Sequence, residues 1–475
     1  MEKQSMALVD GKEGIIRKSA EYHPSVWGDY FIRNSSSALE KVESIQRVEE
    51  LKEQVRNHLF EETRDALQIM NLVDSIQLLG LDYHFEKEIA LALRLIYEAD
   101  AKNYGLYEAS LRFRLLRQHG YYLSADVFNK FKDEKGRFLS TLNGDAKGLL
   151  NLYNAAYLGT HEETILDEAI SFTKCQLESL LGELEQPLAS EVSLSLETPL
   201  CRRIRRLLAR KYIPIYQENM MRNDTLLELA KLDFNLLQSL HKEEVKKISM
   251  WEPQAVDQVP EYLKDFYLKL LKTCKDFEDE LEPHEKYRIP YLQEAIKVLS
   301  RSYFHEAKWG AEGYVPSLEE HLRVSLKSTG YPTVTCASFV GLGEDATKEA
   351  FEWVASFPKI LKSCTIITRL MDDITSHELE QERDHVASTV ESYMKEYGTS
   401  AKVAREKLQV MVEQGWKDLN KECLGTTPVA RSLIEIILNL SRAMEDIYKY
   451  KDTYTNSNTR MKDNVSLILV ESFPI

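Results

Sequence analysis

The chain has 475 residues, a formal net charge of −15 and 43% hydrophobic residues. This length suffices for two or more domains with a large core, and the hydrophobic content is that of a folded protein rather than a disordered one. The acidic charge disfavours nucleic acid and anionic membrane surfaces as partners. Glycine and proline are scarce, with 19 and 13 residues, which favours long helices over turn-rich β-structure.

Three further features bear on where the protein works. Its six cysteines are far apart and form no C-x-x-C pair, which fits reduced thiols in an intracellular protein. No run of eighteen or more apolar residues occurs, so we expect no membrane span. Residues 1–13 lack an apolar signal core and are acidic, unlike a serine- and arginine-rich transit peptide. We therefore expect a cytoplasmic protein.

The first half of the chain has a helical pattern of apolar residues from residue 38 to about residue 217. Glycine and proline interrupt this pattern at short intervals. Helices joined by short connections at this density predict an antiparallel helical array or an α/α barrel. We place this first domain at residues 1–220 and a second helical domain at residues 221–475.

A strongly basic run lies between Arg202 and Arg210 and contains five arginines. Nucleic acid or the surplus acidic side chains of the chain itself are the two candidates to neutralise it. Five arginines in a chain of net charge −15 are a poor electrostatic footprint for nucleic acid. We therefore predict that these arginines form ion pairs within the protein.

Glycine and proline stand close together in S-T-G-Y-P, from Ser328 to Pro332, where they predict a break between two helices. Backbone groups freed at such a break can bind an anion. The sequence alone favours a simple kink.

The most informative stretch runs from Cys364 to Arg383. It begins as an apolar helix and then places Asp372, Ser376 and Glu380 at i, i+4 and i+8, so that they project from nearly one face. By spacing alone, this stripe fits a solvated acidic face as well as a site for Mg²⁺, which prefers a few protein oxygens and completes its shell with water and phosphate. The apolar run before it favours a metal site, because a carboxylate on a buried helix must be paired or bind a cation.

Motifs spread over almost the whole chain point to one family. R-K-S-A-E-Y-H-P-S-V-W, from Arg17 to Trp27, is similar to an R-R-x₈-W motif with Lys18 at the second arginine. R-F-R-L-L-R-Q-H-G-Y at residues 112–121 is typical of an N-terminal α-barrel domain, and residues 372–380 match the metal motif N/D-D-x-x-S/T-x-x-x-E. Together these motifs resemble the plant terpene synthases, specifically the cytosolic sesquiterpene type.

The resemblance implies an all-α protein with an N-terminal α-barrel and a C-terminal class I terpenoid synthase bundle. It implies Mg²⁺-dependent ionisation of a prenyl diphosphate and cyclisation to a sesquiterpene, with farnesyl diphosphate expected because no transit peptide is evident. In the matching family positions, Asp372, Ser376 and Glu380 bind Mg²⁺, or Mn²⁺ in its place, and Arg369 holds the diphosphate. The expected protein is a monomer whose partner is this small molecule, with no nucleic acid and no membrane.

Three more residues match family positions less closely. Asp452 and Tyr454 match a D-G-Y-T loop that closes over the cavity, but Thr453 replaces its glycine and restricts φ, so a plain surface loop is the alternative. Trp251 matches a cavity tryptophan if it belongs to the helix before it, and equally matches the tryptophan of a downstream R-W sequence.

The chain departs from the family at its other metal motif. D-D-x-x-D is absent, since the only Asp-Asp pair is Asp372-Asp373. Trp251 joins directly to E-P-Q-A-V-D-Q-V-P-E-Y, so the comparison implies that several central helices are missing as one block at about residues 251–252. An alternative transcript or a gene-model artefact would explain such a block. We therefore expect weak or no cyclase activity, and the alternative to an active synthase is a catalytically impaired isoform or truncated homologue.

Overall fold

The computed structural model describes residues 27, 30, 38–59, 65–249, 261–381 and 386–474. From residue 38 onward these ranges contain nineteen α-helices and no β-strand. The first eight helices are α1 (Ala38–Leu59), α2 (Ala66–Leu78), α3 (Glu86–Glu98), α4 (Leu106–Gln118), α5 (Ala146–Ala156), α6 (Thr164–Leu180), α7 (Leu188–Glu197) and α8 (Arg205–Glu218). The helices that follow are α9 (Asp224–Ser249), α10 (Glu261–Glu280), α11 (Arg288–Glu312), α12 (Leu318–Ser328), α13 (Tyr331–Val340), α14 (Lys348–Ala355), α15 (Lys359–Gln381), α16 (Thr389–Tyr397), α17 (Ala401–Glu422), α18 (Arg431–Ile447) and α19 (Arg460–Leu469).

Helices α1 to α9 enclose two apolar cores. The first core lies between α1, α2, α3, one face of α4, α8 and the first half of α9, and includes the fully buried Ile76 and Phe85. The second core lies on the other face of α4, where Phe113 and Tyr153 pack with α6 and α7. Complete burial of such side chains stabilises the fold by roughly 1.5–3 kcal/mol each. Because α4 is buried on both faces, it joins the two cores.

The turn between α8 and α9 coincides with the domain boundary predicted near residue 220. Beyond this turn, α9 contributes Leu229 and Phe234 to the first core. Phe473 reaches the same core from the far end of the chain, and its ring centroid lies 5.3 Å from that of Phe234. The first core is thus completed by residues from beyond the turn.

Helix α15 is the centre of a third core, which α11, α13, α14, α16, α17 and α18 also form. Leu361, Ile367 and Leu370 on α15 are fully buried there. Helix α17 approaches closely at Gly415, where an added Cβ would lie 3.1 Å from Cγ1 of Ile367. One face of α15 is therefore held by apolar packing, which determines the direction of the opposite face.

Polar contacts join the two halves. On α18, Glu435 forms ion pairs with Arg442 at 3.2 Å and with Arg205 of α8 at 3.4 Å. Arg431 also donates an N–H to the carbonyl oxygen of Gln118 at 2.9 Å. The second half is thus fixed to the first by charged and backbone groups. Within the described ranges, no helix is both long and apolar enough to cross a membrane.

Candidate active site

Three oxygen-bearing side chains line one face of α15. Asp372, Ser376 and Glu380 occupy successive turns of this unbroken helix, and Leu370 on the opposite face is buried in the third core. Ser376 is buried, and its hydroxyl donates to the carbonyl oxygen of Asp372 at 2.9 Å. The Asp372 side chain is 27% exposed. The stripe therefore points away from the core, with Asp372 accessible to a ligand.

Arg369 lies one turn before Asp372 on the same helix. Its Nη1 donates to Oδ2 of Asp372 at 3.3 Å and to Oδ1 of Asp373 at 3.1 Å. Its Nε and Nη2 reach α12, where the carbonyl oxygen of Ser325 and the hydroxyl of Ser328 each accept at 3.4 Å. Burial lowers the pKa of Arg369, but the surrounding carboxylates outweigh burial and raise it above its ordinary value. The guanidinium group is therefore a permanent cation beside the acidic stripe.

Asp373 is only 2% exposed and connects three helices. Its Oδ2 accepts the backbone N–H of Thr389, the first residue of α16, at 2.7 Å. His321 of α12 lies beside it, with Nδ1 3.3 Å from the Thr389 hydroxyl oxygen. Burial opposes ionisation of the carboxyl group, but Arg369, His321 and the Thr389 donors outweigh burial and hold the pKa of the group below its ordinary value. Asp373 is therefore an ionised carboxylate that joins α12, α15 and α16.

The helix break predicted near residue 330 lies beside Arg369. Helix α12 ends at Ser328 and α13 begins at Tyr331, with Gly330 between them at a φ of 79°, a conformation that suits glycine. The Ser328 hydroxyl donates to Oε1 of Glu306 on α11 at 2.5 Å. The break therefore brings a hydroxyl group and a carboxylate of α11 next to the arginine.

The loop after α18 holds Asp452 and Tyr454 in different environments. Asp452 is buried, and its Oδ1 accepts the backbone N–H groups of Tyr454 at 3.0 Å and Thr455 at 2.9 Å. The Tyr454 residue is 73% exposed. Thr453, in the place of the family glycine, has no positive φ and donates its hydroxyl to the carbonyl oxygen of Ile447 at 2.9 Å. The loop thus accommodates threonine and leaves the tyrosine at the surface.

Acidic groups crowd around Asp372. Burial is the main cause that raises the pKa of Asp372 to about 7; Arg369 opposes this shift, and nearby carboxylates that include Glu380 and Asp452 add to it. A cation would relieve this repulsion, so the charge and the oxygen donors fit a divalent metal ion. In the described part of the chain, no group of three or more His, Cys, Asp or Glu side chains could hold a metal ion. The Ser376 hydroxyl, water or phosphate oxygens would complete the shell.

Three tyrosines near these charges were not singled out in the sequence: Tyr303 of α11, Tyr331 of α13 and Tyr448 at the end of α18. Burial raises the pKa of each, and the charge of Asp372 raises it further at Tyr331 and Tyr448. The phenols therefore remain neutral. A sequence signal existed for two of them, since Tyr331 lies within the predicted break from Ser328 to Pro332 and Tyr448 lies four residues before Asp452.

Some predicted elements lie outside the described residues. They are Trp251 and, except for Trp27 itself, the motif from Arg17 to Trp27. Residues 382–385, directly after α15, lie outside them as well. The cavity role of Trp251 stays a prediction.

Two parts of the chain match known families. Residues 26–196 match "Terpene synthase, N-terminal domain", and residues 241–418 match "Terpene synthase family, metal binding domain". The alpha-humulene synthase of Zingiber zerumbet is 73% identical over 549 aligned residues, which cover 100% of each chain. The beta-eudesmol synthase of the same plant is 57% identical over 549 residues, covering 99% of each chain. Because this chain has 475 residues, at least 74 positions of each alignment have no residue here.

Solved structures share the fold. The isoprene synthase of grey poplar, in complex with three Mg²⁺ ions and dimethylallyl-S-thiolodiphosphate, superimposes with a TM-score of 0.82 at 28% identity. The match covers 91% of this chain and 97% of that chain. It confirms the predicted fold class, an N-terminal α-barrel and a C-terminal class I terpenoid synthase bundle.

The all-α fold, the acidic helix face beside a partly buried arginine and these matches together identify a metal-binding, class I terpenoid synthase domain. The chain belongs to the terpene synthase family. Its homologues are plant sesquiterpene synthases, which are lyases, and the family acts on prenyl diphosphates with a divalent metal ion.

Proposed function

We propose that the protein binds Mg²⁺ and farnesyl diphosphate and converts the substrate to a cyclic sesquiterpene with release of diphosphate. The observation that carries this proposal is the face of α15, where the stripe of Asp372, Ser376 and Glu380 lies beside Arg369. Carboxylate and hydroxyl oxygens are ligands that Mg²⁺ prefers, and Mn²⁺ takes similar ones. We further propose a monomeric enzyme, and a cytoplasmic one because all six cysteines are free thiols.

In this proposal the polar residues act on the diphosphate. Asp372, Ser376 and Glu380 hold the metal ion, and Arg369 donates N–H groups to the phosphate oxygens. When bound, the metal ion neutralises negative charge on the leaving diphosphate. Arg369 stabilises the same charge. Because Asp373 already holds the guanidinium group in place, little reorganisation is needed during the reaction. The carbon–oxygen bond breaks, its electron pair leaves with the diphosphate, and the cyclised cation loses a proton.

The aromatic residues act on the carbocation. The charge of Asp372 raises the pKa of Tyr331 and of Tyr448, so both are neutral rings within electrostatic range of it, and the faces of aromatic rings attract cations. Trp251 would add a further ring. The loop of Asp452 and Tyr454 would close over the substrate, because water in the cavity would quench the cation.

We also propose that the 74 or more unmatched positions fall at the junction of Trp251 and Glu252 and include D-D-x-x-D. Two observations support this placement. The only Asp-Asp pair in the sequence lies on α15, and α10, which follows the junction, leaves Phe266 66% exposed and Leu271 44% exposed. Apolar side chains left open in this way fit the loss of a helix that would cover them. A chain with only one metal motif would neutralise less charge on the leaving diphosphate. This is why a catalytically impaired isoform or truncated homologue is the alternative to an active synthase.

Incubation of the full chain with farnesyl diphosphate and Mg²⁺, followed by gas chromatography with mass spectrometry, tests the activity. Isothermal titration with Mg²⁺ and inorganic diphosphate tests the site, with Asp372→Ala as the matched variant. Hydrocarbon products that Asp372→Ala fails to form would support an active synthase and exclude the impaired form. Binding without turnover would support the impaired form. Equal titrations for both proteins would overturn the assigned site.

A further inference from the structure

The basic run of the first half is paired within the protein, and three of its five arginines form ion pairs, as predicted: Arg202, Arg205 and Arg210. The other two arginines, Arg203 and Arg206, donate to the carbonyl oxygens of Thr198 and Phe234 instead. Arg202, the first of its arginines, is 7% exposed and lies in a short turn between α7 and α8. Its Nη1 and Nη2 donate to the two carboxylate oxygens of Glu413 on α17, at 3.0 Å and 2.6 Å. Its Nη1 also lies 3.6 Å from Oε1 of Glu445 on α18. One buried guanidinium group of the first half thus bridges two helices of the second.

Aromatic rings complete the environment of Arg202. Its guanidinium carbon lies 5.0 Å from the ring centroid of Tyr157 and 4.9 Å from that of Trp416 on α17. A planar guanidinium group can pair with a carboxylate through two parallel bonds and stack on rings at once, and a lysine ammonium group cannot. The arrangement therefore requires arginine rather than positive charge alone.

Both bridged helices flank the candidate active site. Trp416 follows Gly415, where α17 lies close to Ile367 of α15. On α18, Glu445 also forms an ion pair with Lys449 at 3.2 Å. Tyr448 lies between Glu445 and Lys449 in the sequence, and it lines one cavity with Arg202 and with Met371 of α15, the neighbour of Asp372. The contacts of Arg202 are therefore continuous with the side of α15 that faces α17 and with the end of α18 that bears Tyr448.

We propose that Arg202 is a positioning residue of the active site: through it, the N-terminal domain sets α17 and α18 relative to α15. Arg202 touches neither substrate nor metal in this scheme. It acts through Glu413 and Trp416 on one side and through Glu445 on the other. The inference rests on the proposed function only for the identity of the site that is positioned.

The test compares Arg202→Lys with Arg210→Lys in the full chain. Arg210 belongs to the same basic run and also joins the two halves, since it donates to the carbonyl oxygen of Leu467 at 3.1 Å and pairs with Glu471 at 3.5 Å. Its contacts are with the C-terminal tail, away from α15, α17 and the end of α18. Three quantities are measured for each protein: the melting temperature, amide hydrogen exchange of residues 444–456, and the affinity for Mg²⁺ with inorganic diphosphate.

We expect both substitutions to lower the melting temperature, and only Arg202→Lys to change the site. In that variant, exchange of residues 444–456 should quicken and the affinity should fall at least about threefold, a modest coupling for residues outside a binding site. If Arg202→Lys yields too little folded protein, Glu445→Gln, which removes the 3.6 Å pair with Arg202 and the 3.2 Å pair with Lys449, should show the same local effect in weaker form. Lys449→Gln, which removes only the second pair, is its control and should show a smaller effect.

The inference is overturned if Arg202→Lys leaves the exchange of residues 444–456 unchanged, or if both lysine variants change exchange and affinity equally. Either result would make Arg202 a general stabilising residue. Absence of Mg²⁺ and diphosphate binding in the unsubstituted chain would count against the proposed function. The exchange comparison would then decide the role of Arg202 by itself.

Discussion

Nη1 of Arg369 lies 3.1 Å from Oδ1 of Asp373 and 3.3 Å from Oδ2 of Asp372, so one guanidinium group joins two successive carboxylates. The two carboxylates are otherwise unlike each other. Asp373 is buried and accepts the backbone N–H of Thr389, whereas Asp372 is partly exposed among other acidic groups. We infer that Asp373 holds the arginine in place and leaves Asp372 available to a metal ion.

Replacement of Asp373 by asparagine should destabilise the protein. The amide can still accept the N–H of Thr389, but the partly buried guanidinium group of Arg369 loses its buried counter-ion. Breaking a buried ion pair in this way typically costs about 3–5 kcal/mol. Urea unfolding at pH 7 should show a lower free energy of unfolding by about that amount. If the free energy of unfolding stays the same within experimental error, Asp372 alone is enough to balance the charge of Arg369.

Replacement of Asp372 by asparagine should stabilise the protein above neutral pH. The pKa of Asp372 is about 7 in the folded protein, against 3.8 for an aspartate without such interactions. The protonated form of the carboxyl group therefore favours folding, and the ionised form opposes it. The stability of the original chain therefore falls as the pH rises from about 4 to about 7, and Asp372→Asn removes this loss. In the presence of EDTA, the melting temperature of Asp372→Asn should exceed that of the original chain at pH 8 and equal it near pH 4. A constant difference across this range would contradict the assignment.

Added Mg²⁺ should narrow that difference in melting temperature at pH 8. An ion that binds the folded state stabilises it, by about 2.7 kcal/mol at a hundred times the dissociation constant. The original chain should therefore melt at a higher temperature with Mg²⁺ than without, and Asp372→Asn should not respond. Because protons compete for Asp372, the response of the original chain should shrink at pH 6.

Replacement of Gly415 by alanine should separate α17 from α15. The added Cβ would lie 3.1 Å from Cγ1 of Ile367, and overpacking of a filled core usually costs about 1–3 kcal/mol. Gly182→Ala is the matched control, because nothing lies within 4 Å of a Cβ at that position. Denaturant unfolding should show a loss for Gly415→Ala and little change or a gain for Gly182→Ala. Equal effects would indicate that the backbone at these glycines matters more than the packing.

Replacement of Glu435 by glutamine should weaken the contact between the two halves. Burial opposes ionisation of Glu435, but Arg442, Arg205 and Arg431 outweigh burial and lower the pKa of the carboxyl group to about 2. Its contribution is present above about pH 4.5 and is lost as the pH falls towards 2. At pH 7, Glu435→Gln should lose about 2–3 kcal/mol of unfolding free energy.

The difference in unfolding free energy between Glu435→Gln and the original chain should be smaller at pH 3.5 than at pH 7. Glu278→Gln serves as the control, because its partner Lys275 is on the surface and exposed pairs contribute little. Urea unfolding of the three proteins at both pH values measures these effects. A difference that does not depend on pH would mean that packing, not charge, is lost.

Periodicity along single helices was predictable from the sequence. Asp372, Ser376 and Glu380 share a face because four residues span about one turn, and the break at Gly330 follows from residue types that end helices. These features depend only on neighbours within one segment. Net charge predicted ion pairs for the basic run, which three of its five arginines form.

Contacts between distant helices were not predictable in this way. Asp373 is one residue off the acidic stripe, so spacing gave no reason to single it out, and its partner Thr389 belongs to another helix. Likewise, composition predicted that Arg202 would be paired, but Glu413 lies 211 residues away. Which helix packs beside which is decided by the complementarity of whole faces, and a single sequence does not display it.

The position of Phe473 in the first core has a consequence for the order of folding. Asn235 and Phe473 exchange two hydrogen bonds, at 3.1 Å and 3.0 Å, across 238 residues of chain. During synthesis, α1 to α9 leave the ribosome long before this residue exists, so their core first forms with one side open. Closing so long a loop is slow relative to local helix formation. The first core is thus completed by a residue made long after the helices that enclose it, and the two halves must finish folding together.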